Sequence, residues 1–172
     1  ILGLGELGLD AARKLRAFGY DLAGWSNTRK HEDGIASFAG LGELPAFLNR
    51  TDILVCLLPL TEATRGILNT ATFDLLPQGA RVINAARGGH LIESDLIDAL
   101  DSGHLAGATL DVFQSEPLPA ESPLWTHPKV VVTPHMAAIT DPRSTAVAMA
   151  ESMARVRRGE LPLNPVDLAK GY

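Results

Sequence analysis

The chain reads as an α/β protein on a doubly wound parallel sheet, and three observations predict it. Ile1 and Leu2 run directly into Gly3-x-Gly5-x-x-Gly8, and helically spaced residues follow, giving strand, glycine turn and helix in that order. Continuous apolar runs then alternate with amphipathic stretches along the chain, as strands do when crossover helices cover both faces of their sheet. With 172 residues, 46% hydrophobic and 20% charged, there is enough apolar material for one ordinary globular core.

Each element follows from local signals. Leu7, Ala11, Leu15 and Phe18 recur at helical spacing and predict the buried face of the first helix, which Gly19 stops. Residues 20–25 form the second strand, ending in the polar stretch Ser26-Asn27-Thr28-Arg29-Lys30. Residues 41–49 predict a short helix with Pro45 in its first turn, and the apolar run 52–58 is a strand ended by Pro59. A helical stretch containing Phe73, Leu75 and Leu76 closes at Pro77-Gln78-Gly79, and 80–85 is the next strand. Residues 93–100 are amphipathic and closed by Gly103. Strands at 105–112 and, after a proline-rich connection, 130–133 complete the sheet. The last helix has Asp141 as N-cap and Pro142 at its first position. Its predicted core face is Ala146, Met149, Ala150, Met153 and Val156, and Arg155, Arg157 and Arg158 precede Gly159 at its end, as the helix macrodipole prefers. The domain so delimited is 1–160, with 161–172 as a tail.

Composition narrows the function. No apolar run approaches the roughly 18 residues of a membrane span, and no basic cluster offers a nucleic-acid surface. A net charge of −5 favours solubility rather than a particular partner. Cys56 is the one cysteine, which leaves no disulfide framework or thiolate metal site and fits a reducing, cytoplasmic compartment. No Cys or His recurs at metal-ligand spacing, so no metal is expected. There is no initiator methionine and only two residues precede the glycine turn, whereas a buried strand runs about 5–6 residues. Further chain is therefore expected upstream, where any targeting segment would lie.

The glycine turn suits a dinucleotide. Gly3 permits a sharp turn, Gly5 leaves room for a pyrophosphate against bare main chain, and Gly8 lets helix and strand pack closely. Glu6 and Leu7 open the helix whose N-terminal N–H groups would meet the anion. A unit specific for NAD places Asp or Glu about 20 residues beyond the turn, to accept hydrogen bonds from the ribose hydroxyls. Here that place holds Ser26. Ser26 can hydrogen-bond a 2′-phosphate that a carboxylate would repel, and Arg29 or Lys30 can neutralise it. NADP(H) is expected in preference to NAD(H). Without a ligand, Arg29 and Lys30 are simply a solvated basic loop before His31-Glu32-Asp33.

Ligands of open parallel sheets bind at the carboxyl ends of the strands. Arg87 follows one strand in Ile83-Asn84-Ala85-Ala86-Arg87-Gly88-Gly89, Glu116 follows another in Leu110-Asp111-Val112-Phe113-Gln114-Ser115-Glu116, and His135 follows the last in Val132-Thr133-Pro134-His135. A planar fork for a carboxylate, a proton donor and an acid to tune that donor suit the reduction of a 2-keto acid. Taken singly, Arg87 is a surface fork, Glu116 an exposed loop charge and His135 a helix-adjacent hydrogen bonder. His90 and His104, beside turn glycines, read as solvated.

The motifs Gly3-Leu4-Gly5-Glu6-Leu7-Gly8, Leu58-Pro59-Leu60-Thr61, Asn84-Ala85-Ala86-Arg87-Gly88, Leu110-Asp111-Val112-Phe113 with Glu116-Pro117, and Thr133-Pro134-His135 occur in this order. Together they resemble the D-isomer-specific 2-hydroxyacid dehydrogenases, and they span nearly the whole chain. Within that family, Trp25-Ser26 followed by Arg29-Lys30, Ser122-Pro123-Leu124-Trp125, Pro134-His135-Met136-Ala137-Ala138-Ile139-Thr140 and the terminal Gly171-Tyr172 are similar to the glyoxylate/hydroxypyruvate reductase A branch. Many family members carry glycine where Ala138 stands and aspartate where Ser26 stands.

The resemblance implies a Rossmann-type domain and a set of roles. His135 would protonate the carbonyl oxygen as hydride arrives from the nicotinamide. Glu116 would hydrogen-bond its other ring nitrogen, favouring imidazolium, and Arg87 would hold the substrate carboxylate and carbonyl oxygen. Asp111 would face the nicotinamide carboxamide, although a strand-end hydrogen bonder is an equally good reading. Leu58, Pro59, Ala85 and Ala86 would line the coenzyme beside Arg87 and His135. Pro117, Pro119, Pro123, Pro128 and Pro134 would stiffen the connection that sets Glu116 relative to His135. The resemblance also implies that a leading substrate domain is missing, that 161–172 is the tail returning to it, that a small 2-keto or 2-hydroxy acid is the partner, and that the protein is a homodimer. Two other classes stay open: a coenzyme-sensing interaction module of the corepressor kind on the same fold, and a nucleotide-binding domain of another type, such as an S-adenosylmethionine-dependent methyltransferase.

Overall fold

The apolar runs become parallel strands whose carboxyl ends share one edge. In the computed structural model, which describes residues 1–166, β1 (Leu22–Ser26) pairs with β2 (Ile35–Ala39), and β3 (Ile53–Cys56), β4 (Ala80–Asn84), β5 (Leu105–Leu110) and β6 (Val130–Val132) pair in succession. Leu2 joins the two sets, bridging Trp25 on one side and Cys56 on the other in parallel sense. The Leu2 N–H donates to the Val55 carbonyl and the Gly3 N–H to the Trp25 carbonyl, each at 2.8 Å. The order is therefore β2, β1, the Leu2 segment, β3, β4, β5, β6, and the chain winds outward in opposite directions from Leu2. That reversal is where open sheets of this kind form a ligand crevice. Leu54, Val82, Ala108 and Val130 lie side by side across the larger set, and the β4–β5 register shifts by one residue between Ala80 and Arg81.

Alternation along a strand sends neighbours to opposite faces. Leu2, Leu54 and Cys56 enter the main core with Trp25, Phe47, Phe73, Leu96 and Leu100. Ile1, Val55 and Leu57 join Leu4, Ala12 and Leu22 in a second cluster. Both faces are covered, which is why the strands read as unbroken apolar runs. Burial pushes the Cys56 thiol up to about 11, so it packs the core as a protonated group rather than a nucleophile.

The helices depart from the sequence expectations in instructive ways. α1 (Glu6–Arg16) buries Gly8 and Ala12 and half-buries Ala11 and Leu15, whereas Leu7 is 60% and Phe18 80% exposed. The cause is close approach: a Cβ on Gly8 would stand 1.8 Å from the Gly3 carbonyl oxygen, so Gly8 and Ala12 make the tightest contact with the sheet, Leu9 and Leu15 pack beside them, and Leu7 and Phe18 face out. Pro45 lies inside α2 (Gly40–Leu48), not in its first turn, because the helix starts at Gly40, where Glu43 reaches back to accept the Ala39 N–H at 2.8 Å. β2 lies outside the predicted elements: its apolar stretch is five residues long and broken by Ser37. It is half-buried along its length and is held by pairing with β1 from Leu22↔Ile35 to Ser26↔Ala39. α3 (Thr70–Phe73) is a single turn capped by Asn69, and Leu75 and Leu76 lie beyond it. α4 (Glu93–Asp101) forms as predicted, as do the strands at 52–58, 80–85, 105–112 and 130–133, each somewhat shorter.

Residues 1–135 make one compact unit, and a second begins at Met136. In that second unit α5 (Pro142–Arg157) carries the predicted cap, with Asp141 accepting the Arg143 and Ser144 N–H groups at 3.4 and 2.9 Å. Its predicted core face is not buried: Met149, Met153 and Val156 are each more than half exposed. Helical period identified the apolar stripe but carries no information about what covers it. Gly171-Tyr172, and with them the end of the 161–172 tail, lie outside the described residues. No helix among the described residues is long and apolar enough to cross a membrane.

Candidate active site

Because β4, β5 and β6 run in parallel, the loops that leave them converge. Arg87, Glu116 and His135 line one cleft of about 550 Å³, together with Leu60, Arg65 and Phe113. His135 Nδ1 lies 2.8 Å from Glu116 Oε2, and Glu116 Oε1 accepts the Phe113 N–H at 3.0 Å. These two bonds, the histidine first, hold the Glu116 carboxyl below the usual carboxylate range, and the Arg87 charge adds a smaller pull. His135 adopts φ 51, a left-handed conformation that few residues other than glycine take up. Its N–H bonds the Thr133 carbonyl at 3.1 Å, and Thr133 Oγ1 donates to Asp111 Oδ1 at 2.5 Å, tying the β6 end to the β5 end. A sparsely populated backbone conformation costs on the order of 1–3 kcal/mol and persists where surrounding contacts impose it.

Arg87 is extended and exposed, its Nη1 donating to the Ala86 carbonyl at 2.6 Å. It forms no salt bridge among the described residues, so its fork is available to a ligand carboxylate. The next residue explains how this loop sits beside Glu116: a Cβ on Gly88 would stand 1.9 Å from the Phe113 carbonyl carbon, and only glycine fits.

On the coenzyme side, Gly3 has φ 99 and would bring a Cβ within 2.8 Å of the Leu57 carbonyl oxygen. Gly5, the N-cap of α1, has no side-chain cap, and a Cβ there would meet nothing within 4 Å. Bare space in front of uncapped N–H groups fits a pyrophosphate. Glu6 and Leu7 flank it, both exposed. Beyond β1, Ser26 Oγ donates to the Thr28 carbonyl at 2.8 Å, and the Arg29 guanidinium donates to the Ser37 carbonyl and to Glu43. Lys30 is exposed, with its N–H on Ser37 Oγ at 3.1 Å. Leu58 and Ala86 are buried, Pro59 and Ala85 half-buried, and Asp111 is buried.

Two expectations need correction. His90 is fully buried, with Nδ1 3.0 Å from the Arg87 carbonyl oxygen and Nε2 3.2 Å from that of Pro59. His104 is half-buried, with Nε2 2.8 Å from the Phe73 carbonyl oxygen. The His90–Pro59 and His104–Phe73 contacts each span 31 residues, so adjacent glycines said nothing about them. Arg65, which no sequence signal singled out, lacks any motif that would place it in the cleft.

Residues 1–137 match the family model for the NAD-binding domain of D-isomer-specific 2-hydroxyacid dehydrogenases. The chain is 50% identical over 172 residues to glyoxylate/hydroxypyruvate reductase A of Salmonella paratyphi B, covering all of this chain and 55% of that protein. It thus spans about half the length of the curated relatives it matches. A D-isomer-specific 2-hydroxyacid dehydrogenase from Xanthobacter autotrophicus Py2, solved with NADPH and MES, superposes with a TM-score of 0.97 at 50% identity, over 99% of this chain and 71% of that one. The NADPH-dependent glyoxylate/hydroxypyruvate reductase of Sinorhizobium meliloti, solved with NADP and sulfate, superposes with a TM-score of 0.95 at 46% identity, over 99% of this chain and 55% of that one. With its glycine turn, its parallel sheet and this match, the chain belongs to the D-isomer-specific 2-hydroxyacid dehydrogenase family.

Proposed function

We propose that this chain is the coenzyme-binding and catalytic part of an NADPH-preferring reductase that converts small 2-keto acids, glyoxylate or hydroxypyruvate among them, into 2-hydroxy acids. The observation that carries the reading is the 2.8 Å contact between His135 Nδ1 and Glu116, in the cleft that Arg87 also lines. Arg87 binds the substrate carboxylate through its planar fork and orients the carbonyl. With Nδ1–H donating to Glu116, a ring that carries a proton on both nitrogens delivers the Nε2 proton to the carbonyl oxygen and is left with Nδ1–H. Glu116, ionised well below neutral pH, fixes the ring orientation by accepting that bond. The coenzyme, when bound, supplies the hydride that goes to the carbonyl carbon.

Coenzyme placement is part of the same proposal. Gly3, Gly5, Glu6, Leu7 and Gly8 hold the pyrophosphate; Ser26, Arg29 and Lys30 take the 2′-phosphate; Leu58, Pro59, Ala85, Ala86 and Asp111 border the nicotinamide end. The NADPH and NADP found with the Xanthobacter and Sinorhizobium proteins support this coenzyme choice. The test is a steady-state panel of 2-keto acids with NADPH and NADH, run on the complete polypeptide. Reduction of glyoxylate or hydroxypyruvate with an NADPH preference is expected. Coenzyme binding with no turnover of any 2-keto acid would overturn the reading and favour a coenzyme-sensing module.

A further inference from the structure

We propose that His90 is a positioning residue, which sets Arg87 in the cleft by tying its backbone to that of Pro59. The inference rests on the role proposed above for Arg87. A guanidinium that must meet a carboxylate needs a fixed base, yet Arg87 itself is exposed and forms no salt bridge among the described residues. Beneath it, the His90 ring is completely buried, and its two nitrogens meet the carbonyl oxygens of Arg87 and Pro59 at 3.0 and 3.2 Å. Pro59 leaves β3 and Arg87 leaves β4, and His90 belongs to the Arg87 loop; a neutral imidazole carries one N–H, and on Nε2 it would donate to the Pro59 carbonyl and link the loops of adjacent strands.

The surroundings show that linkage, rather than satisfaction of lone carbonyls, is what the ring provides. The Arg87 carbonyl also receives Asn84 Nδ2 at 3.1 Å, and the Pro59 carbonyl also receives Thr64 Oγ1 at 2.7 Å. Neither oxygen would be left without a donor if His90 were replaced by an aliphatic residue. What would go is the bridge. Two backbone bonds carry the same coupling further out: the Gly66 N–H donates to the Gly89 carbonyl and the Leu68 N–H to the His90 carbonyl, each at 2.9 Å. A buried aliphatic side chain would fill the space and leave the Arg87 loop free to shift, and a displacement of about 1 Å from productive geometry can cost a large factor in rate.

The test compares His90→Leu, His90→Asn and His90→Gln with wild type in the complete polypeptide, reading KM, kcat, NADPH affinity and melting temperature. An asparagine amide reaches roughly where Nδ1 sits, and a glutamine amide roughly where Nε2 sits. His90→Leu is expected to raise KM for the 2-keto acid about tenfold while NADPH affinity is held, and His90→Gln, whose amide can remake the bond to Pro59, to recover most of that loss. A merely structural role would lower the melting temperature and leave KM at its wild-type value, and that result overturns the proposal. Recovery by His90→Asn but not by His90→Gln also overturns it, since the working contact would then be local to the Arg87 loop. If His90→Leu fails to fold, KM for the Asn and Gln variants still separates these outcomes. A wild-type protein that reduces no 2-keto acid defeats the functional reading itself; an active wild type with indifferent His90 variants defeats only this inference.

Discussion

The edge of the sheet beyond β4, β5 and β6 and the edge beyond β1 and β2 belong to one parallel array, yet their polar groups are committed differently. At the first, Glu116 and His135 bond each other at 2.8 Å, and the Arg87 fork carries no salt bridge among the described residues. At the second, Ser26 bonds the Thr28 carbonyl and Arg29 bonds Glu43 and the Ser37 carbonyl, so the cation expected to meet a 2′-phosphate is already engaged. The rim proposed for catalysis is therefore preorganised, while the rim proposed to choose the coenzyme would have to trade one anion for another. Preorganised groups lose most when removed; exchanged ones shift a preference.

The largest break in this contrast is His135→Ala, expected to lower kcat by about 10²–10⁴-fold with NADPH affinity little changed. Turnover rates with and without the ring, set against coenzyme titrations, decide it. Next, Arg87→Ala should raise KM and lower kcat together, each lost charge-assisted bond being worth about 1.5–3 kcal/mol. A change confined to one of the two constants would mean that Arg87 acts differently in substrate and transition state from what is proposed. On the other rim, Arg29→Ala should weaken NADPH roughly tenfold more than NADH. Glu43→Gln should do the opposite by releasing Arg29, and equal changes for the two coenzymes would assign Arg29 to the fold alone.

Smaller effects follow from orientation and from titration. Glu116→Gln should lower kcat less than His135→Ala does, because an amide oxygen can still accept from Nδ1; an equal loss in turnover assays would give Glu116 more than an orienting part. Burial lowers the His90 imidazole below its ordinary 6.5, against the pull of its two carbonyl neighbours, with the Arg87 and Arg65 charges pushing the same way as burial. The unfolded chain then takes up a proton before the folded one does. The stabilisation is complete above about pH 6.5 and is lost as pH falls through the lower folded value. Melting temperatures between about pH 5 and pH 8 should decline on the acid side, and His90→Asn should flatten that decline.

Much of this arrangement is legible in order along the chain. The glycine turn, the apolar runs at 52–58, 80–85, 105–112 and 130–133, and the Asp141-Pro142 helix start are local signals, and each forms where local chemistry puts it. The candidates Arg87, Glu116 and His135 can be placed on one edge because parallel strands all end there. β2 is missed because its apolar residues are few and interrupted by Ser37, and its strand conformation rests on pairing with β1. Pro45 sits deeper in α2 than its type suggests, because Glu43 and Ala39 set the helix start ahead of it.

By itself, then, the sequence determined the identity of every strand but β2, the direction of the sheet and the edge on which the polar groups gather, since period, glycine placement and caps act over a few residues. Only the tertiary structure decided which face of α1 meets the sheet, which cation pairs with Glu43, that His135 and Glu116 actually touch, and that His90 is buried rather than solvated. Those outcomes depend on contacts between residues 14 to 31 positions apart and on the closeness allowed by Gly8 and Gly88. No local pattern encodes such distances, because they are set by how whole elements pack.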